Sequence, residues 1–204
     1  IMKMKRDHSY VTEILDLGGG YGVRYTENDP VIDIADNIRQ VAESLKATAA
    51  GLGIDLPSIR LEPGRSIVAD AGMTLYTVGT VKRIPGYKNY VSVDGGMTDN
   101  PRFALYRSPY TVFIANKMNE KCDMECSVVG RCCESGDIIQ EHVMVPSSVC
   151  RGDICAVATT GAYNYSMASN YNRIGRLPVA MINNGKTSLA VLRETLEDIV
   201  ANDM

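Results

Sequence analysis

Apolar and polar residues alternate along this chain in a pattern that changes near residue 66. Ahead of that point, a short apolar stretch from Thr12 to Leu17 runs straight into three glycines, as a buried strand does when it delivers backbone to a loop. Ile34, Ile38, Val41, Ala42 and Leu45 then recur at helical spacing with polar residues between them, which predicts an amphipathic helix stopped by Gly51 and Gly53. A second short strand, Ser58 to Leu61, leads into Glu62-Pro63-Gly64-Arg65. Strand, helix, strand is one βαβ unit, the piece from which parallel sheets and barrels are made. Ile1 to Arg6 read as the end of a helix already under way, so the chain is expected to lack the front of its fold.

From Ser66 onward Val, Ile, Thr and Tyr dominate, and clusters of Gly, Pro, Asn and Asp recur at short intervals, which predicts antiparallel β structure. The expected strands are Met73 to Arg83, Tyr90 to Val93, Tyr110 to Ala115, Met124 to Val129, Ile154 to Thr159, Val179 to Asn183 and Thr187 to Arg193. Thr195 to Ala201 is expected to form a short terminal helix. The fold class is α+β, mainly β, with one boundary near residue 66 and no internal repeat.

Composition narrows the functional classes. With 204 residues and 45% hydrophobic content, the chain has enough apolar material for a packed core. A net charge of -3 and the lack of any Lys/Arg-rich block argue against a nucleic-acid surface. No apolar run approaches the ~18 to 20 residues that span a bilayer, and no signal-peptide pattern opens the chain, so a soluble cytoplasmic protein is expected. Six cysteines without an export signal are expected to be reduced thiols. They form no CxxC pair, and His8 and His142 lie outside any ligand spacing, so no metal is expected.

Several clusters carry candidate chemistry. Gly18, Gly19 and Gly20 after a strand offer unobstructed backbone N–H groups suited to a phosphate, or form an ordinary turn. The run matches neither the dinucleotide fingerprint nor the P-loop. Glu62 and Arg65 at the end of a second parallel strand would open on the same barrel face as the glycines, or pair at the surface. Arg102 and Tyr106, after the Asp94-Gly95-Gly96 turn, could clamp a carboxylate or lie on an exposed loop. Tyr163 and Tyr165 supply phenols to a pocket, or are buried with their hydroxyls satisfied. Cys132-Cys133-Glu134-Ser135-Gly136-Asp137 sets a thiol beside a carboxylate in a turn. Such a pair can give a proton and bind a cation, or be a core cysteine next to a solvated glutamate.

Taken in order, Leu17-Gly18-Gly19-Gly20-Tyr21-Gly22, Glu62-Pro63-Gly64-Arg65-Ser66, Asp94-Gly95-Gly96-Met97, Asn100-Pro101-Arg102, Cys133-Glu134-Ser135-Gly136-Asp137 and Ala162-Tyr163-Asn164-Tyr165-Ser166-Met167-Ala168-Ser169-Asn170-Tyr171-Asn172 form a series. It resembles the fold-type III pyridoxal-phosphate-dependent decarboxylases, in the branch that turns meso-2,6-diaminopimelate into L-lysine and carbon dioxide, and the resemblance covers essentially the whole chain. It implies that residues 1–65 are the C-terminal fragment of a cofactor-binding (β/α)8 barrel, holding its last two strands and one helix. Residues 66–204 would be a barrel-like or sandwich-like C-terminal β domain. It also implies a homodimer with active sites at the subunit interface.

Carried over by motif, Gly18, Gly19 and Gly20 would bind the pyridoxal 5'-phosphate phosphate with Gly64, Arg65 and Tyr163, and Glu62 would face the pyridine nitrogen. Arg65, Arg102, Tyr106 and Tyr163 would hold the amino-acid substrate, Glu134 would meet its distal ammonium, and Cys133, from the other subunit, would be the catalytic proton donor. The family's Schiff-base lysine has no matching motif here, so the missing part is expected from a longer parent or another chain, and the 204 residues alone are expected to be inactive. Phe103 stands where the family has proline after the arginine, a change expected to alter loop stiffness. The alternatives are a related decarboxylase of ornithine, arginine or carboxynorspermidine, and a non-catalytic dimerisation fragment. Glu134 beside Cys133, with the second arginine, Arg102, favours a substrate carrying an extra carboxylate.

Overall fold

The computed structural model describes residues 1–204, which divide into two units, Ile1–Val68 and Ala69–Met204. The first unit contains α1 (Met2–His8), β1 (Ile14–Asp16), α2 (Ile34–Leu52), β2 (Ser58–Arg60) and α3 (Arg65–Val68). β1 and β2 pair in parallel, with Ile14 opposite Ser58 and Asp16 opposite Arg60. The long connection through α2 gives them that shared direction. α2 is capped at its start by Asp33, which accepts the Asp36 N–H, and runs on through Gly51 to end at Leu52. Only Gly53, in the left-handed conformation, stops it; the expected stop at Gly51 is corrected, because a helix interior tolerates a lone glycine at modest cost.

This unit buries little. Ala49 is the one buried residue of α2, β2 is exposed throughout, and Ile14, Leu17, Ile38, Val41, Ile59 and Leu61 all lie exposed. Strands of a parallel sheet normally have both faces covered, so two bare strands are an unusual end state for such apolar residues.

The second unit is mostly sheet. Its elements are β3 (Met73–Ile84), β4 (Lys88–Val93), α4 (Arg102–Tyr106), β5 (Val112–Ile114), β6 (Cys122–Val129), β7 (Ile138–Pro146), β8 (Ile154–Ala158), α5 (Asn164–Met167), β9 (Val179–Asn183), β10 (Lys186–Val191) and α6 (Leu196–Val200). Six strands form one sheet in the order β5-β8-β3-β4-β6-β7, while β9 and β10 form a separate hairpin. β3 pairs with β8 through Met73–Thr77 and with β4 from Val78 to Ile84, with an irregularity in register between Val78 and Val81. A bulge there bends the strand and lets the sheet curl. The two sheet edges come together where the Tyr110 N–H donates to Gln140 Oε1 at 2.9 Å, so the sheet is nearly closed. Val78, Val91, Val128, Ile139, Val145 and Val157 fill its interior, each almost fully buried.

Two expectations change. The sheet is mixed and not wholly antiparallel, because β4 runs parallel to β6, with Tyr90 opposite Ser127. The connection from Asp94 to Lys121 carries the chain through α4 and β5 before β6 begins, and such a crossover permits a parallel neighbour. β7 is a strand additional to those expected. Cys126 and Cys155 lie in the core, where burial pushes both thiols up to about 12. No helix is long and apolar enough to cross a membrane.

Candidate active site

In the first unit the two loops that follow the parallel strands are tied together. The Glu62 N–H donates to the Gly18 carbonyl at 2.7 Å, and the Leu17 N–H donates to Arg60 at 3.0 Å, so the strand pairing runs on into both loops. Gly18 and Gly20 take the left-handed conformation, and the Gly18 N–H is held by Asp16 Oδ1 at 2.7 Å. Gly19 is demanded by close approach: a Cβ there would stand 2.3 Å from the Glu62 carbonyl oxygen. Gly18 therefore shapes the turn, while the N–H groups of the exposed Gly19 and Gly20 carry no hydrogen bond to the protein. Beside this loop in sequence order, Arg65 begins α3. Its guanidinium lies 5.6 Å from the centre of the Tyr25 ring, with Nη1 3.3 Å from the Tyr25 hydroxyl. Tyr25 is itself fixed, because its N–H and that of Thr26 donate to Asp29 Oδ2 at 3.0 and 2.8 Å. In the sequence Tyr25 carries no signal beyond its place in the polar run between the glycine loop and α2.

In the second unit Arg102, Tyr106 and Tyr163 come together. Arg102 and Tyr106 open and close α4, four residues apart and so on one helix face. The Arg102 guanidinium lies 5.6 Å from the centre of the Tyr106 ring and 5.8 Å from that of Tyr163. Arg102 is only 5% exposed, so its charge meets the ring faces away from water, where such contacts are strongest. Nη2 also donates to Ser108 Oγ at 3.4 Å. Tyr163 reaches this place from a left-handed backbone (φ 70°) at the start of α5. An arginine set against two phenol rings offers a guanidinium fork suited to a carboxylate. Phe103 is buried beneath Arg107, so the residue that replaces the expected proline belongs to the core.

Cys133 and Glu134 sit elsewhere, in the exposed turn between β6 and β7, and make no hydrogen bond or ion pair with Arg102, Tyr106 or Tyr163. Both are at the surface, which sets aside the core-cysteine alternative for Cys133. Glu134 accepts from the Gly136 N–H at 3.1 Å and from Ser135 Oγ at 3.3 Å. The Gly136 N–H is the larger cause that holds its carboxyl below the usual carboxylate range. Glu134 is thus an anion at neutral pH, as cation binding requires. Its neighbour Cys132 is half-buried, and burial, helped by Asp137, pushes that thiol up to about 11.

Two buried carboxylates, neither among the candidate residues, hold the loops that present these groups. Asp137 is 4% exposed; its Oδ1 accepts the Met97 N–H and its Oδ2 the Cys132 N–H, both at 2.6 Å. It staples the loop leading to Arg102 to the turn bearing Cys133. Asp99 accepts the Tyr76 hydroxyl at 2.5 Å, the Gly96 N–H at 3.1 Å and Thr98 Oγ1 at 3.1 Å. Burial raises the Asp99 carboxyl above its usual range even so, and it raises the Tyr76 phenol well above its own.

Because the folded state holds the Asp99 proton more tightly than the unfolded chain does, this group adds stability below the ordinary carboxylate range, and that stability is lost as pH rises through its folded value. The Tyr76 hydroxyl limits the loss by bonding the anion. Tyr76→Phe is therefore expected to cost about 1–3 kcal/mol at neutral pH, and less in acid where Asp99 is protonated. Urea unfolding of the variant and the parent at both pH values measures this, and an equal cost in acid would contradict it.

Residues 9–161 match the family model described as the pyridoxal-dependent decarboxylase C-terminal sheet domain. The chain belongs to that family. Among curated relatives, it is 49% identical over 197 residues to the diaminopimelate decarboxylase of Bacillus subtilis, covering 97% of this chain and 45% of that protein. It is 44% identical over 203 residues to the enzyme of the same name from Staphylococcus aureus, covering 100% of this chain and 48% of that protein. Among solved structures, diaminopimelate decarboxylase from Helicobacter pylori complexed with L-lysine aligns with TM-score 0.82 and 32% identity over 98% of this chain and 47% of its own. The chain thus spans about half the length of the relatives it matches.

Proposed function

We propose that these residues are part of a pyridoxal-phosphate-dependent carboxy-lyase that converts meso-2,6-diaminopimelate to L-lysine and carbon dioxide in the cytoplasm. The observation that carries this reading is the 49% identity over nearly the whole chain to a protein named diaminopimelate decarboxylase. In the same reading residues 1–65 are the last two strands and one helix of a (β/α)8 barrel, and residues 66–204 are the β domain. The parallel β1–α2–β2 unit and its exposed apolar residues support that division, since the remaining barrel strands would cover them. The active form is a homodimer, supported by a thiol turn that stands apart from the arginine cluster and is free to serve another subunit.

The glycine loop fits a phosphate. Gly19 and Gly20 offer two N–H donors on a loop where a Cβ would strike backbone, and Arg65 is oriented by Tyr25. Gly18, Gly64 and Tyr163 are assigned to the same group by motif. When bound, pyridoxal phosphate supplies the electron sink that lets a bond from carbon to carboxylate break. Glu62 holds the proton on the pyridine nitrogen. Arg102 orients the carboxylate that is retained, with Tyr106 and Tyr163 fixing the guanidinium. Glu134 binds the distal ammonium, and Cys133 delivers a proton to the carbon that carbon dioxide has left.

Gly19→Ala is expected to weaken pyridoxal phosphate binding about tenfold or more, because the added Cβ must displace the Glu62 carbonyl and break the bond between the two loops. A fluorescence titration of the cofactor checks this. The reading as a whole is tested by carbon dioxide release from meso-diaminopimelate, L-ornithine and L-arginine, with the protein expressed from its gene and supplied with pyridoxal phosphate. Diaminopimelate is expected to be the best substrate. Preference for either of the others would replace the substrate assigned here, and release from none would remove the activity.

A further inference from the structure

The Cys133–Glu134 turn is exposed and buries almost no apolar surface, so packing alone cannot hold it. Three successive amides hold it instead. The Cys132 N–H donates to Asp137 Oδ2 at 2.6 Å, the Cys133 N–H to Asn172 Oδ1 at 2.8 Å, and the Glu134 N–H to the Cys132 carbonyl at 2.8 Å. Of these acceptors only Asn172 comes from outside the segment that bears the turn.

Asn172 is itself in an uncommon state. Its backbone is left-handed (φ 55°, ψ 23°), and so is that of Arg173 (φ 57°). Two such residues in succession persist only where their surroundings enforce them. The surroundings here come from the C-terminal end of the chain. Asn170 Nδ2 donates to Glu194 Oε2 at 2.5 Å and to the Ile174 carbonyl at 3.1 Å, and the Arg176 N–H donates to the same Glu194 oxygen at 2.8 Å. Arg173 is paired with Asp203 at 2.7 Å. The effect of this bracing is to place one amide oxygen against the Cys133 N–H.

The geometry points to Asn172 as a positioning residue that fixes the Cys133–Glu134 turn from the strap braced by Glu194 and Asp203. Asparagine suits the task because it tolerates the left-handed conformation and carries an acceptor of the right reach. The inference rests on the reading of Cys133 as proton donor only for its bearing on turnover; the hold on the turn stands on geometry alone.

Two variants separate backbone from acceptor. Asn172→Gly keeps the left-handed backbone at no steric cost and removes the acceptor, whereas Asn172→Asp keeps both. In the protein expressed from its gene and loaded with pyridoxal phosphate, Asn172→Gly is expected to speed hydrogen exchange of the Cys133 amide about tenfold and to lower kcat for diaminopimelate. It should also speed alkylation of Cys133 by iodoacetamide relative to Cys122 and Cys150, which are exposed and serve as internal references. Asn172→Asp is expected to restore both exchange and kcat, a rescue that a general loss of stability would not give. Unchanged exchange in Asn172→Gly would overturn the inference, and so would faster exchange with kcat untouched in an enzyme that depends on Cys133. Full turnover by Cys133→Ala would instead remove the thiol from the chemistry, and the exchange result would still decide whether Asn172 holds the turn.

Discussion

Asp137→Ala is expected to lower the stability of the sheet unit by about 3–5 kcal/mol, the largest effect on folding of any single change considered. The carboxylate is 4% exposed and each oxygen accepts one backbone N–H at 2.6 Å. Hydrogen bonds to a carboxylate are the strong ones, and removing this acceptor breaks both bonds and leaves two part-buried amides without their protein partner. The backbone is shaped around this group: a Cβ at Gly96 would lie 2.5 Å from Oδ1 and one at Gly130 would lie 2.2 Å from Oδ2. The side chain is thus enclosed by backbone on two sides, and the loops cannot collapse fully onto the void that alanine leaves. Asp137→Asn keeps one acceptor but turns an amide N–H toward a second donor, so it should fall between the two. Urea unfolding monitored by circular dichroism measures the series, and a loss below about 1 kcal/mol for alanine would show that the two loops are held by other means.

The same staple shows which parts of the molecule could be read from the sequence. Met73–Ile84, rich in Val, Thr and Tyr, is legible because its more buried and more exposed side chains alternate over much of its length, as the strand period requires. β7 is not, although Ile139, Val143 and Val145 all point inward. Its middle carries Gln140, Glu141 and His142 in succession, and His142 is left-handed (φ 55°), so the alternation is broken where a reader would look for it. The parallel pairing of β4 with β6 depends on how the Asp94–Lys121 connection folds, which no local pattern records.

The candidate site divides in the same way. Arg102 and Tyr106 share a helix face by spacing, whereas the ring of Tyr163 arrives from a distant segment and only the motif suggested it. Asp99, Asp137 and Asn172 lie within or beside the quoted motifs, yet a residue that acts by accepting backbone hydrogen bonds leaves no periodicity behind. Only the folded backbone shows which amides it meets.

For activity the largest expected effect is that of Cys133→Ala, a fall in kcat of about a hundredfold or more. Neither neighbour of Cys133 can take over the proton. Cys132 is adjacent, but its half-buried thiol is pushed up to about 11 and its backbone N–H is held by Asp137, so it keeps its proton and is not free to move into the place of Cys133. Glu134 is the other neighbour, and its carboxyl is held below the usual range by the Gly136 N–H, so at neutral pH it has no proton to give. That low value also fixes the division of roles: Glu134→Gln should raise KM for diaminopimelate with a smaller effect on kcat, because the lost interaction is with the bound ammonium and not with the proton in flight. Glu134 stays ionised as pH falls to its ordinary range, and only below that range should KM rise in the parent through its protonation, a rise that Glu134→Gln would lack. Steady-state kinetics of the two variants, with carbon dioxide release as the readout, separate the roles. A Cys133→Ala enzyme with parental kcat would require the proton to come from solvent or from a residue outside this turn.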